Sequence, residues 1–417
     1  MRLCSQNGGF HAVYDRSRTV KNPVLKDAEL KGRKVFLRAD LNVPLEDGRI
    51  ADDTRIKAII PTVEYLIDHG ASIIIASHLG RPGGTVHHEL SLAPVADRLG
   101  ELLGKKVFFA PDCIGARVNT LAASLEPGGI LLLENLRFHP EEKEDDIDFA
   151  RKLASNSDIY VNDAFGTIHR SHASLTGVPR VLRGGYIGLL VEKELKVFVE
   201  MLSSPARPFS LLIGGAKVSD KISVIENLLP RLDHLMIGGA MAFTFMKEMG
   251  LNVGTSLIER DRLGAARKLF IDAEESNVDI HLPVDIVIAP STGRPDLAET
   301  VRADAIPDNM AGLDIGPGTV EKFDKIIRKS CTVVWNGPMG VFEIPPFDSG
   351  TRGIATTLAE VTGNGTVTIV GGGDSVRAVV EADLEDKITF ISTGGGASLK
   401  LLQGVELTAL TVLGGGK

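Results

Sequence analysis

Cysteine is scarce in this chain: three in 417 residues, Cys4, Cys113 and Cys331, odd in number and far apart. That spacing offers no metal-ligand pattern and suits a reducing compartment. No apolar run approaches the length of a membrane span, so no membrane partner is expected. Residues 1–20 contain three arginines but no apolar core. They are not read as a secretory signal but as a frayed extension whose role the sequence leaves open. A basic excess is missing too. Forty-six Lys and Arg face 54 Asp and Glu, a formal charge of −8, which argues against a nucleic-acid partner. The chain has no G-x-x-x-x-G-K-[ST] loop, and no G-x-G-x-x-G follows its first strand. The second absence disfavours a nicotinamide-dependent dehydrogenase. A two-lobed exported binding protein is disfavoured by the lack of a signal.

What is present is glycine, 45 residues of it, placed beside apolar runs as tight strand-to-helix turns require. Strand and helix patterns alternate along the chain, and the strands read as continuous apolar runs. Both features predict an α/β protein with doubly wound, Rossmann-like parallel sheets covered on both faces. The length favours two domains. Helical spacing is clear over Thr54–His69, with Ile56, Ile59, Ile60, Val63 and Leu66 on one face. The segment Gly184–Pro208 is the best boundary. Val191, Leu195, Phe198 and Leu202 fall at helical spacing there, and SSPARP (203–208) stops the helix. The acidic run EEKEDDID (141–148) reads as a solvated loop or a helix start.

The two halves end their strands in opposite ways. In the first, apolar runs break into VFLRADLNVP (35–44), IIIASHLGRP (73–82), LLLENLRF (131–138) and IYVNDAFGTIHR (159–170). Arg38, His78, Arg81, Arg137, His169 and Arg170 follow strand ends, and Arg55 starts a helix. Eight of the ten histidines lie in the first 200 residues. Guanidinium groups suit bidentate grips on phosphate and carboxylate. Asp40 and Asn42, one residue apart, face the same way in an extended segment. In the second half, LLIGGAKVSDK (211–221), LMIGGA (235–240), TIVGGGDS (368–375) and FISTGGGAS (390–398) break into glycine, offering bare backbone N–H groups. Lys217 and Lys221, four apart, are expected on one face at the start of a helix opened by Gly214 and Gly215. Two lysines there oppose the helix dipole unless an anion is bound. Asp374 is either an N-cap or, beside a phosphate chain, a Mg²⁺ ligand. Both halves are thus anion receptors, and ligands bind outside the carboxyl ends of strands in open α/β sheets. Two phosphate-bearing ligands are expected.

These segments, together with LLENLRFHPEE, NDAFGTIHRSHAS, GGAKVSDKI, NGPMGVFE and STGGGAS, resemble phosphoglycerate kinase in order and spacing from about Lys21 to the C-terminus. The resemblance implies two doubly wound lobes joined by a helix. Residues 21–187 would bind phosphoglycerate, 188–204 form the interdomain helix and hinge, 205–400 bind nucleotide, and 401–417 return to the first lobe. It implies reversible in-line phosphoryl transfer on hinge closure, in glycolysis and gluconeogenesis. The partners are 1,3-bisphosphoglycerate and Mg-ADP on one side, 3-phosphoglycerate and Mg-ATP on the other. A cytoplasmic monomer is the family expectation. By motif match, Asp40, Asn42, Arg55, His78, Leu79, Gly80, Arg81, Arg137 and Arg170 look like the phosphoglycerate site. Lys221, Gly312, Glu343, Gly372, Gly373, Asp374 and Ser375 look like the nucleotide site, with Glu343 on the ribose and Asp374 near Mg²⁺. Arg55, Lys217 and the amides of Gly394, Gly395 and Gly396 look like the catalytic groups. Lys400 stands where the family usually has Glu, PDNMAGLDIGP lacks the usual Trp, and residues 1–20 have no counterpart in a typical bacterial member. The acceptor in the ATP-consuming direction is a carboxylate, already ionised at neutral pH, so no general base is needed.

Overall fold

Apolar runs too uniform to alternate between core and solvent become buried parallel strands. In this computed structural model, which describes residues 22–414, they build two compact units. One comprises 22–197 with 406–414, the other 198–405. The first unit holds a six-stranded sheet in the order Val107–Phe109, Ile130–Leu132, Ser72–Ala76, Lys34–Ala39, Ile159–Asp163, Tyr186–Ile187. All its pairings are parallel. The second unit orders Asp279–His281, His234–Ile237, Phe209–Ile213, Thr332–Asn336, Val367–Gly371 and Phe390–Ile391, again all parallel. In each sheet the chain order reverses beside the unit's first strand, the switch point where an open α/β sheet leaves a crevice.

The helix expected over Thr54–His69 spans Thr54–Asp68, and Ile56, Ile59, Val63 and Leu66 are fully buried. They join Val35, Leu37, Ile73 and Ile75 in the first unit's core. The second unit's core is built around Trp335, Phe323, Leu358 and Val370. From Leu189 the chain is helical through Leu195, then continues as a π-helix over Lys196–Met201. The wider π turn shifts the apolar stripe. Val191, Val197, Phe198 and Leu202 are buried, and Leu195 is only half-buried. After Glu406 the chain is tied to the first unit, with the Ala409 N–H donating to the Ile168 carbonyl at 3.0 Å and Gly185 to Leu413 at 3.0 Å.

Two features depart from the sequence reading. A three-stranded antiparallel sheet, Glu299–Arg302, Asp285–Ala289 and Ala311–Ile315, interrupts the parallel pattern. Its central strand reads DIVIA, an apolar run that looks like any parallel strand. Within the acidic run, Glu142 is fully buried, because Ser174 donates to it through Oγ (2.6 Å) and N–H (2.9 Å). Cys113 is a buried free thiol. Among the described residues no helix is long and apolar enough to cross a membrane. Residues 1–20 lie outside the described part.

Candidate functional site

In the first unit the parallel register places four strand ends side by side: Arg38 pairs with Ala76 and Asn162, and Ile75 with Leu132. The loops that follow are locked to one another by side chain–backbone hydrogen bonds. Asn135 accepts from the N–H groups of Leu79 and Arg137 (3.1 Å each) and donates to the carbonyls of Leu79 (2.7 Å) and Leu90 (3.0 Å). Asn42 Oδ1 accepts from Gly80 N–H at 2.8 Å, and Arg137 Nη1 donates to the Gly80 carbonyl at 2.6 Å. Gly80 takes φ +62°, a conformation that favours glycine. Asn42 therefore holds the SHLGRP loop in place with its oxygen, a task its extended-segment position did not announce.

Asp40 is nearly buried and meets Arg55 Nη1 at 2.9 Å, with His78 Nδ1 4.0 Å away. Arg38 is fully buried. Its Nε donates to Ser174 Oγ (2.7 Å), its Nη1 to the Ala39 carbonyl, and its Nη2 lies 3.4 Å from His78 Nδ1. Burial, together with Arg38, Arg137, Arg170 and Arg55, drives the His78 imidazole well below its ordinary pKa, so it is neutral at pH 7. The same crowding acts on the arginines. Burial, then Arg170 and Arg38, push the Arg137 guanidinium down to about 10 against the pull of Glu142 and Asp40. Arg170 is lowered by burial and by Arg38, Arg81 and Arg55, with Asp40 opposing. Five cations thus converge on one nearly buried carboxylate, with Glu142 behind. Among the described residues the side chains of Arg81 and Arg170 make no hydrogen bond or ion pair. Such a cluster has the charge and donor geometry to grip an anion. The structure brings together all nine residues of the expected phosphoglycerate set and adds Arg38, Asn135 and the Glu142–Ser174 support. Arg38 stood out as a strand-end cation. Asn135 and Glu142 carried no such signal.

The second unit prepares its crevice with backbone. Gly214 N–H donates to the Asn336 carbonyl (3.1 Å) and Gly215 N–H to the Pro338 carbonyl (2.9 Å), closing the switch point. A Cβ on Gly214 would run into the Pro338 oxygen, so only glycine fits. Gly337 N–H donates to Ser375 Oγ at 2.6 Å, tying the turn after Thr332–Asn336 to the helix Gly373–Glu381. Lys221 Nζ donates to Asn336 Oδ1, while Asn336 Nδ2 is buried with no partner. Burial lowers the Lys221 pKa, opposed by Asp220 and Asp374. Asp374 lies exposed in the first turn of that helix, and among the described residues its carboxylate makes no hydrogen bond or ion pair. Exposed Glu343 follows Phe342, whose ring receives Arg377 of the same helix at 4.7 Å. Gly312 lies in the antiparallel sheet, where a Cβ would enter the Phe243 ring. Its strand reaches the Glu343 loop through Val341 N–H to the Leu313 carbonyl, 2.9 Å. Gly394 to Gly396 open the helix Gly396–Leu402, with Gly395 at φ +50°.

One expectation fails. Lys217 and Lys221 do not share the first turn of a helix, because the helix begins only at Ile222, with Lys221 as its N-cap. Ser219 anchors the intervening turn to the Glu259 carboxylate through its N–H (3.1 Å) and Oγ (2.7 Å), which holds 217–220 out of helical geometry. Lys217 is exposed and, among the described residues, bonded to nothing through its side chain. The Ser219–Glu259 contact therefore delays the helix here, and the two lysines are presented from different backbone settings.

The family model "Phosphoglycerate kinase" matches residues 25–405. The chain is 53% identical over 390 residues to "Phosphoglycerate kinase, cytosolic" of Triticum aestivum, covering 93% of this chain and 97% of that one. It is 52% identical to "Phosphoglycerate kinase 2, chloroplastic" of Arabidopsis thaliana, covering 93% and 81%. The solved phosphoglycerate kinase of Coxiella burnetii superposes with a TM-score of 0.84 at 38% identity, covering 94% of this chain and 98% of that one. With a family model spanning most of its length, two such relatives and a matching solved fold, the chain belongs to the phosphoglycerate kinase family.

Proposed function

We propose that the arginine cluster holds 3-phosphoglycerate or 1,3-bisphosphoglycerate, and that the glycine-ended crevice of the other unit holds Mg-ATP or Mg-ADP. Family membership makes the chain a kinase of glycolysis, so the reaction is phosphoryl transfer to and from the carboxyl group of the glycerate. The carrying observation is the gathering of five guanidinium groups at the strand ends around Asp40, where burial and neighbouring arginines lower both Arg137 and Arg170. Cations held so close against burial and one another are best relieved by a multiply charged anion.

On this reading Arg170, Arg137, Arg81 and Arg38 bind the non-reacting phosphate, and neutral His78 packs among them without adding charge. Asp40 and Asn42 fix the loops and the glycerate. Gly372 and Gly373 let the nucleotide approach the backbone, Lys221 faces its phosphates beside Asn336, and Glu343 takes the ribose. Asp374 fits Mg²⁺, because a carboxylate with no protein partner at a helix start suits a hard cation shared with phosphate oxygens. Bound there, Mg²⁺ would neutralise developing charge on the transferred group. Arg55, Lys217 and the amides of Gly394 to Gly396 supply the remaining stabilisation of the moving phosphoryl.

Direct transfer needs reacting oxygens within about 3–3.5 Å. We therefore assign the helix of 188–204 as the hinge between a phosphoglycerate domain (21–187) and a nucleotide domain (205–405), with the tail from residue 406 belonging to the first. A cytoplasmic monomer is the simplest setting, in keeping with the wheat relative named cytosolic. The test is a coupled assay with glyceraldehyde-phosphate dehydrogenase. NADH oxidation should require 3-phosphoglycerate, ATP and Mg²⁺ together. Oxidation that proceeds without 3-phosphoglycerate, or none with all three present, rejects the assignment.

A further inference from the structure

Only two histidines occur after residue 200, His234 and His281, and the fold brings them together. His234 opens one strand, and the edge strand Asp279–His281 pairs beside it in parallel register, His234 opposite Asp279. Asp279 and His281, two apart on a strand, project from the same face. His281 Nε2 lies 3.3 Å from His234 Nδ1, and Asp279 Oδ2 lies 3.5 Å from that same nitrogen. One donor atom from each of the three residues falls within a 4.8 Å cluster. We infer that His234, Asp279 and His281 form a site for a divalent transition-metal ion of Zn²⁺-like chemistry, separate from the nucleotide crevice.

The spacing carries the argument. Zn–N and Zn–O bonds of about 2.0–2.1 Å in tetrahedral geometry set neighbouring ligand atoms about 3.3–3.5 Å apart. Both measured separations match that edge. A metal-free explanation is weaker. Without a metal, one N–H of His234 would have to serve both His281 Nε2 and Asp279 Oδ2 as a three-centre bond at 3.3 and 3.5 Å, longer than an ordinary hydrogen bond to either. A cation meets all three lone pairs at once. Two imidazoles with one carboxylate favour Zn²⁺ or Co²⁺ over Mg²⁺ or Ca²⁺, which prefer all-oxygen sets. Both histidines are half-buried and Asp279 is exposed, leaving water free to fill the remaining position. The nearby fixed cation Lys322 donates to the Leu282 carbonyl at 3.0 Å, and Asp279 offsets its charge.

His234 and Asp279 are the first residues of their strands, whereas Gly214, Asn336 and Gly371 mark the carboxyl ends of the sheet. A metal here would staple the outermost strand of the sheet to its neighbour without touching the proposed catalytic groups. The experiment titrates chelator-treated full-length protein with Co²⁺, in the absence of nucleotide, and reads the visible d–d absorption. One equivalent should give saturable bands that Zn²⁺ bleaches and excess Mg²⁺ leaves unchanged. Because losing even an outer-sphere partner weakens metal sites by about 10–100-fold, His281→Ala should weaken Co²⁺ binding by more than about 100-fold. Asp279→Asn, at an exposed position, should weaken it by about tenfold and serves as the test if His281→Ala does not fold. Asp374→Ala should keep the bands. Wild-type protein without saturable bands, or bands that persist in a folded His281→Ala or at full strength in Asp279→Asn, overturns the site.

Discussion

Five guanidinium groups crowd the strand ends of the 22–197 unit, whereas the same edge of the 198–405 unit is made of glycine turns with a few polar side chains. The cost of readiness differs accordingly. In the first unit it is electrostatic: Arg137 is held down to about 10 by burial and by its fellow arginines. In the second it is steric: Gly214 closes against Pro338, and Gly337 and Gly372 take φ of +99° and +92°. A receptor of fixed charges is strained until its anion arrives. A receptor of backbone amides is strained only if its glycines are replaced. The first should therefore respond to charge deletion mainly in affinity, and the second through conformation or through the transferred group.

Lys217 tests this division most severely, because it is a fixed cation in the glycine-ended unit. It is exposed and unpaired among the described residues, so nothing in the fold depends on it. Lys217→Ala should lower kcat by roughly 10²–10³, the range for one electrostatic donor to a transition state. Calorimetry should find 3-phosphoglycerate affinity within about twofold of wild type, and loss of that affinity would merge the two receptors into one. The opposite pattern is expected of Arg170→Ala. Removing one charged hydrogen-bonding group of about 1.5–3 kcal/mol should raise the KM for 3-phosphoglycerate roughly 10–150-fold while kcat changes far less. An unchanged KM would remove Arg170 from the phosphoglycerate grip.

Much of this architecture was legible in the chain. Uninterrupted apolar runs such as VFLRA and LLIG specify buried parallel strands, and the strand-end cations and glycines mark the crevice edges. Illegible features are those set by contacts between distant segments. DIVIA pairs antiparallel because of its neighbours at 299–302 and 311–315, not because of its own composition. Glu142 looked solvated inside an acidic run, yet Ser174, more than thirty residues away, draws it into the core behind Arg38. The delayed helix after Lys217 depends on Glu259, again remote in sequence. Periodicity reports which face of an element is apolar. It cannot report which polar group will arrive from elsewhere to hold it.

The two units also share a device, and it yields the smallest expected effect. Each buries one aspartate that accepts N–H groups at a helix start. Asp163 accepts from Leu190 (3.0 Å) and Val191 (3.1 Å), and Asp314 from Gly350 (2.6 Å) while also taking its neighbour Ile315 (2.9 Å). Burial pushes Asp163 up to about 7 and Asp314 up to about 8, against those bonds. A carboxyl raised in the folded state binds protons there that the unfolded chain has already lost. Its contribution therefore declines as pH rises from the ordinary carboxylate value toward the folded one. Asp314→Asn, which cannot ionise, should gain on wild type in denaturation midpoint between about pH 5 and about pH 8. Asp163→Asn should show the same trend, ending nearer pH 7. The offset at any one pH mixes in the altered hydrogen bonds, so the slope is the decisive quantity. A difference between variant and wild type that stays flat across this range would mean that the aspartate is ionised throughout, and that the backbone donors outweigh burial in that unit.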